Sequence, residues 1–409
     1  MRKALPWIVV SVIVVAGLTA ATYLRPLALI GASKFMDMFI PLSGAPAPIG
    51  SADLAGSGPG TLLSATTMPG VTSTFDGQGV RAARVVYRST EGDTGAQSIV
   101  SGSVLVPDGK APKDGWPVVA LGHGTLGIDN NCAPSLSPTL MNLLPIAQVV
   151  IKLGYAVALP DYQGLGVKGI HPYSDARTAG LNMIDAVRAA RHVFGDVSTT
   201  WAAFGDSQGG AAAWAANEQA GPYAPELKLV GAVAISPAAD ITGLVAKSQA
   251  GNLTTEQRPV LQALIESLAR LHPDLNRDDY RHGGAARYWN VLSDCSSAGA
   301  YKRGVAAEQL GPRDFVPVNQ AAYDQLQNLL QAWAIPQRRL TAPLYVWYGG
   351  QDPYIDAGWT RAAIGRACAL GGPVTITFDP KGEHNPTEAQ AMLDWMADRF
   401  AGKQVTNDC

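Results

Sequence analysis

This chain carries little charge. Asp, Glu, Lys and Arg make up 16% of its 409 residues and leave a net charge of −2. No sustained basic run occurs, so nucleic acid is not an expected partner. Cysteine is scarce as well. Cys132, Cys295, Cys368 and Cys409 are widely spaced and form no C-x-x-C pair, so neither a zinc site nor a dithiol redox centre is expected. No metal or cofactor is called for. There are six histidines, few enough to test one by one as a catalytic base, and no internal repeat or low-complexity tract. What the chain does have is 47% apolar residues and 44 glycines. Its length admits one large domain with an insertion, or two domains.

The N-terminus differs from the rest. Arg2 and Lys3 precede an uncharged stretch, Ala4 to Leu24. Twenty-one helical residues at about 1.5 Å each reach roughly 31 Å, enough for a bilayer core. Residues 1–33 are therefore read as a signal peptide or an N-terminal membrane anchor, with small residues near Thr19 available for cleavage. Either way the remainder is exported, secreted or held at the cell envelope, and an even number of cysteines fits an oxidising compartment. Residues 44–60, rich in Gly, Pro, Ala and Ser, read as a linker or loosely packed arm.

Beyond the arm, short apolar runs end in Gly, Pro, Asp or Ser. Segments 83–89 and 98–107 have the alternation of paired strands. Segments 116–124, 154–166, 199–207, 227–237, 342–350 and 373–380 are nearly continuous apolar runs, as in strands buried on both faces of a parallel sheet. Helical patterns at 178–194 and 211–220 lie between them, and Asn385 with Pro386 predicts the start of a last helix. This alternation implies a doubly wound, mostly parallel α/β sheet. It breaks off between 237 and 340, where 254–271 and 319–334 predict amphipathic helices and no strand is evident. The expected organisation is a core over 34–236, a helical cap over 237–340 and the rest of the core over 341–409.

One short stretch carries chemistry. Gly205-Asp206-Ser207-Gln208-Gly209 follows an apolar run and precedes a helix. A chain of this composition carries G-x-S-x-G by chance roughly one time in four, so context has to decide. A strand before and a helix after are what a nucleophile elbow needs, because the turn lifts the serine Oγ above the sheet edge. Serine needs a base to take its proton. His384 follows the last apolar run, in the chain order serine, acid, histidine that this topology gives. The acid belongs after the preceding strand, where Asp352 follows the turn glycines directly; Asp356 and Asp379 are the alternatives. Two N–H donors must meet the developing oxyanion. One is the backbone of Gln208, and the other comes from Gly124 or Thr125 in "LGHGTLG". Asp161-Tyr162-Gln163-Gly164 reads as a structural turn beside the site.

The combination resembles the α/β-hydrolase superfamily and, within it, the secretory lipases, whose best-known members are fungal and actinobacterial triacylglycerol lipases. "PGTLLS" (59–64), "GHGTLG" (122–127), "NCAPS" (131–135), "ALPDYQGLG" (158–166), "GDSQGG" (205–210), "GGQDPYI" (349–355) and "GEHNP" (382–386) carry the resemblance. It implies a Ser207–Asp352–His384 triad, a helical cap, hydrolysis of acyl lipid esters, and disulfides Cys132–Cys295 and Cys368–Cys409. The expected partner is a lipid or small acyl ester, with membrane attachment through the N-terminal segment as an option. Leucine, tyrosine and tryptophan side chains of the cap helices would suit an acyl chain. The same triad also serves acyltransferases and peptidases.

Overall fold

The computed structural model describes residues 44–409 apart from Phe75 and Ser296. The Ala4–Leu24 stretch therefore lies outside the described residues; among those described, no helix is long and apolar enough to cross a membrane. Nine strands form one sheet: β1 (Leu62–Thr67), β2 (Val80–Thr90), β3 (Gln97–Pro107), β4 (Trp116–Gly122), β5 (Ala156–Pro160), β6 (Val197–Asp206), β7 (Lys228–Ile235), β8 (Leu344–Gly349) and β9 (Val374–Asp379). Their order is β1-β2-β3-β5-β4-β6-β7-β8-β9. The first three strands and β5 pair antiparallel; from β5 to β9 every pairing is parallel. Every residue of β5 and β8 is buried. This is why those strands read as continuous apolar runs rather than alternating ones.

Helices cover both faces. Ala176–Val193 starts at Asp175, whose carboxylate accepts from the N–H groups of Arg177 and Thr178. It packs with Gln208–Tyr223 on one side of the sheet, while Leu144–Lys152 and Gln390–Phe400 contribute to a second cluster with Val119, Val157 and Val233. Between β7 and β8 the chain makes helices Gly243–Ala250, Gln257–Leu271, Gly283–Tyr288, Ser297–Glu308 and Gln320–Trp333, with no strand among the described residues. Two of these begin as their sequences dictate. Gln257 N–H donates to Thr254 Oγ1 at 3.0 Å while Thr254 N–H donates to Gln257 Oε1 at 3.2 Å, a reciprocal capping box. Asn319 Oδ1 accepts from the N–H of Ala322 at 2.9 Å.

Several elements differ from the sequence reading. Strand β1 and helix Leu144–Lys152 are additional. β5 stops at Pro160, because Tyr162, Gly164 and Gly166 take positive φ and turn the chain away. The final helix starts at Gln390, not at Asn385 and Pro386. The intervening loop is tied to the end of β8 instead: Gln351 N–H donates to Gly382 O at 2.9 Å, and a Cβ on Gly349 would sit 2.1 Å from Glu383 O. A helix beginning at Asn385 would pull this loop off the sheet edge. Cys132 is disulfide-bonded to Cys295, joining the loop after β4 to the insertion, and Cys368 to Cys409, fastening the C-terminus.

Candidate active site

Ser207 stands between β6 and the helix that follows, with φ 57° and ψ −116°. Non-glycine residues seldom occupy this region, so the surroundings must hold it. Ser207 N–H donates to Ile235 O at 2.9 Å, and its carbonyl accepts from Ala238 N–H at 3.1 Å. The flanking glycines are steric necessities. A Cβ on Gly205 would lie 2.0 Å from Gly209 O, and one on Gly209 would lie 2.0 Å from Gly122 O. The strand, the turn and the helix can approach this closely only without side chains.

His384 and Asp352 meet beside it. His384 Nδ1 donates to Asp352 Oδ2 at 2.7 Å, leaving Nε2 free of that bond. Asp352 Oδ1 accepts from the N–H groups of Tyr354 and Ile355 at 2.8 and 3.0 Å, which fixes the carboxylate. Ser236 Oγ donates to His384 O at 2.6 Å, and the Tyr354 ring lies 4.8 Å from the imidazole. Burial alone would push the His384 pKa down. The Asp352 hydrogen bond and the charges of Asp206 and Asp352 outweigh it and raise the net value above the ordinary 6.5. The other acid candidates are engaged elsewhere. Asp356 accepts from Lys247 Nζ and Gln257 Nε2, and Asp379 Oδ1 accepts from Lys381 N–H.

Ser207 and His384 line one cavity of about 500 Å³, together with Gly124, Thr125 and Gln208. Gln208 is the first residue of its helix, so its backbone N–H has no intrahelical partner. Its side chain is held away, donating from Nε2 to His171 Nε2 at 3.0 Å. Burial pushes the His171 pKa to about 3, so the ring stays neutral and accepts that proton; its Nδ1 then donates to Gln163 O at 2.9 Å. Thr125 Oγ1 hydrogen-bonds Tyr173 OH at 2.7 Å. Beneath the loop, His123 contacts the carbonyls of Gly124 and Asp161. The buried Asp161 carboxylate accepts from Ser101 Oγ, Ser135 Oγ and Ser135 N–H, so this turn braces the loops and does not line the cavity.

Sequence reasoning missed Asp206. It lines the same cavity, its Oδ1 is buried with no partner among the described residues, and its pKa is pushed up to about 6. Burial is the main cause; the His384 charge opposes it and the Asp352 charge adds to it. The motif leaves this position unspecified, so the signal was a carboxylate directly preceding the serine. The cap residues also require correction. Leu261, Leu264 and Leu268 are buried in the main core, and Trp333 Nε1 donates to Asp93 Oδ2 at 2.6 Å. The apolar wall of the cavity comes from Ile241 and Val260 of the segment between β7 and β8 and from Leu126, Met141, Leu143 and Ile355 outside it. At its edge Leu140, Met141 and Asn142 take φ of 51°, 54° and 70°, a left-handed turn costly for such residues.

A model of the secretory lipase family matches residues 135–408, more than half of the chain. A probable inactive lipase of Mycobacterium tuberculosis is 29% identical over 375 residues, covering 85% of this chain and 80% of its own. Lipase 6 of Candida albicans is 27% identical over 314 residues, covering 68% of this chain and 65% of its own. Among solved structures, Candida antarctica lipase A in its closed state matches with a TM-score of 0.68 at 17% identity, over 91% of this chain and 88% of that one. A rice cell wall degrading esterase of Xanthomonas oryzae matches with a TM-score of 0.64 at 19% identity, over 84% of this chain and 97% of that one. At these identities the solved structures speak for the fold, an α/β-hydrolase sheet with flanking helices. The disulfides and the family match fit an exported protein. The chain belongs to the secretory lipase family.

Proposed function

We propose that the protein is a carboxylic ester hydrolase in which Ser207 is the nucleophile, His384 the general base and Asp352 its partner. The observation that carries this reading is the 2.7 Å bond from His384 Nδ1 to Asp352 within a cavity that Ser207 also lines. Ser207 Oγ attacks the ester carbonyl as its proton passes to His384 Nε2. The imidazolium then protonates the departing alcohol. Water, deprotonated by His384, hydrolyses the acyl-enzyme and regenerates Ser207. Asp352 fixes the tautomer and stabilises the imidazolium. The backbone N–H of Gln208 meets the tetrahedral oxyanion together with one from Gly124 or Thr125, each such donor contributing about 10²–10³ in rate.

The substrate class follows from the wall. Six apolar side chains around a 500 Å³ space favour an acyl chain over a peptide. Triacylglycerols and smaller acyl esters are the expected substrates, handled without metal or cofactor. The exported protein is either freed by cleavage near Thr19 or retained by Ala4–Leu24, and the mass of the mature N-terminus distinguishes the two.

The test is hydrolysis of p-nitrophenyl esters of increasing acyl length, with emulsified triglyceride and aminoacyl substrates alongside. Ester cleavage by the native protein, lost in Ser207→Ala, is the expected result. Unchanged cleavage in Ser207→Ala, or faster turnover of aminoacyl than of acyl substrates, contradicts the proposal. No cleavage of any ester places the chain beside its relative named as a probable inactive lipase.

A further inference from the structure

The two proposed oxyanion donors belong to different parts of the chain, the loop after β4 and the start of the helix after Ser207. Both parts reach one buried tripeptide, His171-Pro172-Tyr173. His171 Nε2 accepts from Gln208 Nε2 at 3.0 Å, and Tyr173 OH hydrogen-bonds Thr125 Oγ1 at 2.7 Å.

The tripeptide is itself fastened. His171 Nδ1 donates to Gln163 O at 2.9 Å, and Gln163 N–H donates to Asn182 Oδ1 at 2.8 Å. Gly164 packs so closely that a Cβ on it would lie 2.2 Å from His171 N. From the segment between β7 and β8, Ser267 Oγ donates to His171 O at 2.6 Å and accepts from Tyr173 N–H at 2.9 Å. Ser267 is fully buried in the helix Gln257–Leu271, so one hydroxyl of that helix clamps both ends of the tripeptide.

The energetics give these contacts a consequence for the reaction. Ser207 holds a backbone conformation that persists only where its neighbours over-determine it. Gln208 is the next residue, and its side-chain anchor helps to fix the peptide whose N–H meets the oxyanion. Burial keeps His171 neutral, so Nε2 remains an acceptor for the Gln208 amide. Donors act only when preorganised, and a misplacement of about 1 Å can cost about 10² in rate.

We propose that His171 and Tyr173, clamped by Ser267, are positioning residues of the oxyanion hole, one setting Gln208 and the other the Gly124–Thr125 loop. Each acts through the residue it holds. This assignment rests on the ester-hydrolase reading for the reaction, and on the contacts above for the positioning.

The test uses the full-length protein with His171→Leu, His171→Gln, Tyr173→Phe and Ser267→Ala. Rates on a p-nitrophenyl ester are divided by the Ser207 sites that a fluorophosphonate titrates, which removes misfolded protein from the count. Two ketones of equal chain length separate the oxyanion from the cavity. An alkyl trifluoromethyl ketone adds Ser207 Oγ to its carbonyl and so carries the oxyanion, whereas the methyl ketone only fills the space. His171→Leu and Tyr173→Phe should each lower kcat by about 10- to 100-fold, with KM within about twofold. Affinity for the trifluoromethyl ketone should fall by the same factor, and affinity for the methyl ketone should not change. Ser267→Ala should shift both readings in the same direction. His171→Gln, whose amide can accept from Gln208 and donate to Gln163 O, should recover most of the loss. Should His171→Leu fail to fold, Tyr173→Phe, which removes a single hydroxyl, carries the test. Unchanged kcat per titrated site in His171→Leu and Tyr173→Phe overturns the proposal. So does an equal loss of affinity for both ketones, or a His171→Gln variant no better than His171→Leu. A native protein that cleaves no ester, yet shows these trifluoromethyl ketone losses in its variants, overturns the hydrolase reading and leaves the positioning role standing. One that neither cleaves esters nor binds the trifluoromethyl ketone overturns both.

Discussion

At the level of single residues, the site combines groups the chain order identifies with one it hides. Serine, acid and histidine are expected in the order that the sheet topology imposes, which makes Ser207, His384 and Asp352, with Asp356 and Asp379 as alternative acids, candidates from the sequence. Of the three acids it is Asp352 that hydrogen-bonds His384, at 2.7 Å. Asp206 is not among those candidates, because its position in the motif admits any residue and its effect depends on where the strand ends. With its carboxyl pushed up to about 6, largely by burial, Asp206 carries charge at neutral pH and raises the His384 pKa. In the proposed mechanism His384 must be neutral to take the serine proton, so kcat/KM should rise with pH through that raised value. Asp206→Asn removes one of the charges that favour the imidazolium, and the acid limb should move to lower pH. A limb that stays in place, measured on one p-nitrophenyl ester across pH 4–9, shows that Asp206 does not act on the histidine. Asp352→Asn keeps the shape but allows the wrong tautomer, and kcat should fall about 10⁴-fold.

The elements show what periodicity can and cannot reveal. The leucines at three- and four-residue spacing in Gln257–Leu271 correctly marked a buried face, yet a stripe does not say which surface covers it. That face packs into the main core, and Val260 beside it reaches the cavity. The last helix likewise has a good start signal at Asn385 and Pro386 that tertiary contacts override, because the loop bearing His384 must stay against β8. The elbow is the element with least tolerance. Gly209→Ala sets a methyl 2.0 Å from a carbonyl oxygen of β4, and backbone on both sides leaves nothing flexible to yield. It should cost about 3 kcal/mol or more, read as a lower urea midpoint, and remove activity even where the protein still folds. By contrast Thr254→Ala, which breaks the capping box, should cost about 1 kcal/mol and leave kcat unchanged.

For the whole molecule, the alternation of apolar runs and helical patterns was enough to place the chain in the α/β class, and after residue 237, where that alternation stops, the described residues form helices and no strand until β8. Strand β1 escaped because LLSATT is a short edge strand with mixed burial, and Leu144–Lys152 because an apolar run of that length suits strand and helix alike. The disulfides close loops spanning 163 and 41 residues. By chain entropy they stabilise by about 5 and about 4 kcal/mol, and Cys368→Ser with Cys409→Ser should lower the thermal midpoint accordingly. Charge burial sets the pH range. Asp175 and Asp185 are pushed up to about 6 and Glu218 to about 7, in each case chiefly by burial. Carboxyls raised in the fold contribute stability below their unfolded values and lose it as pH rises through the folded ones. Burial also raises Glu266, but hydrogen bonds from Arg277, Trp289 and Arg270 hold it at about 2, so its contribution fades below about pH 4.5. Urea unfolding should therefore give its highest midpoint between about pH 4.5 and 6, and a maximum above pH 8 contradicts this.

The most direct test of the central claim is covalent. A fluorophosphonate should add once per chain, fragment mass analysis should place the adduct on the peptide bearing Ser207, and ester cleavage should fall in proportion to labelling. His384→Ala should label far more slowly. An adduct at another residue, or full ester cleavage after complete labelling of Ser207, contradicts the account.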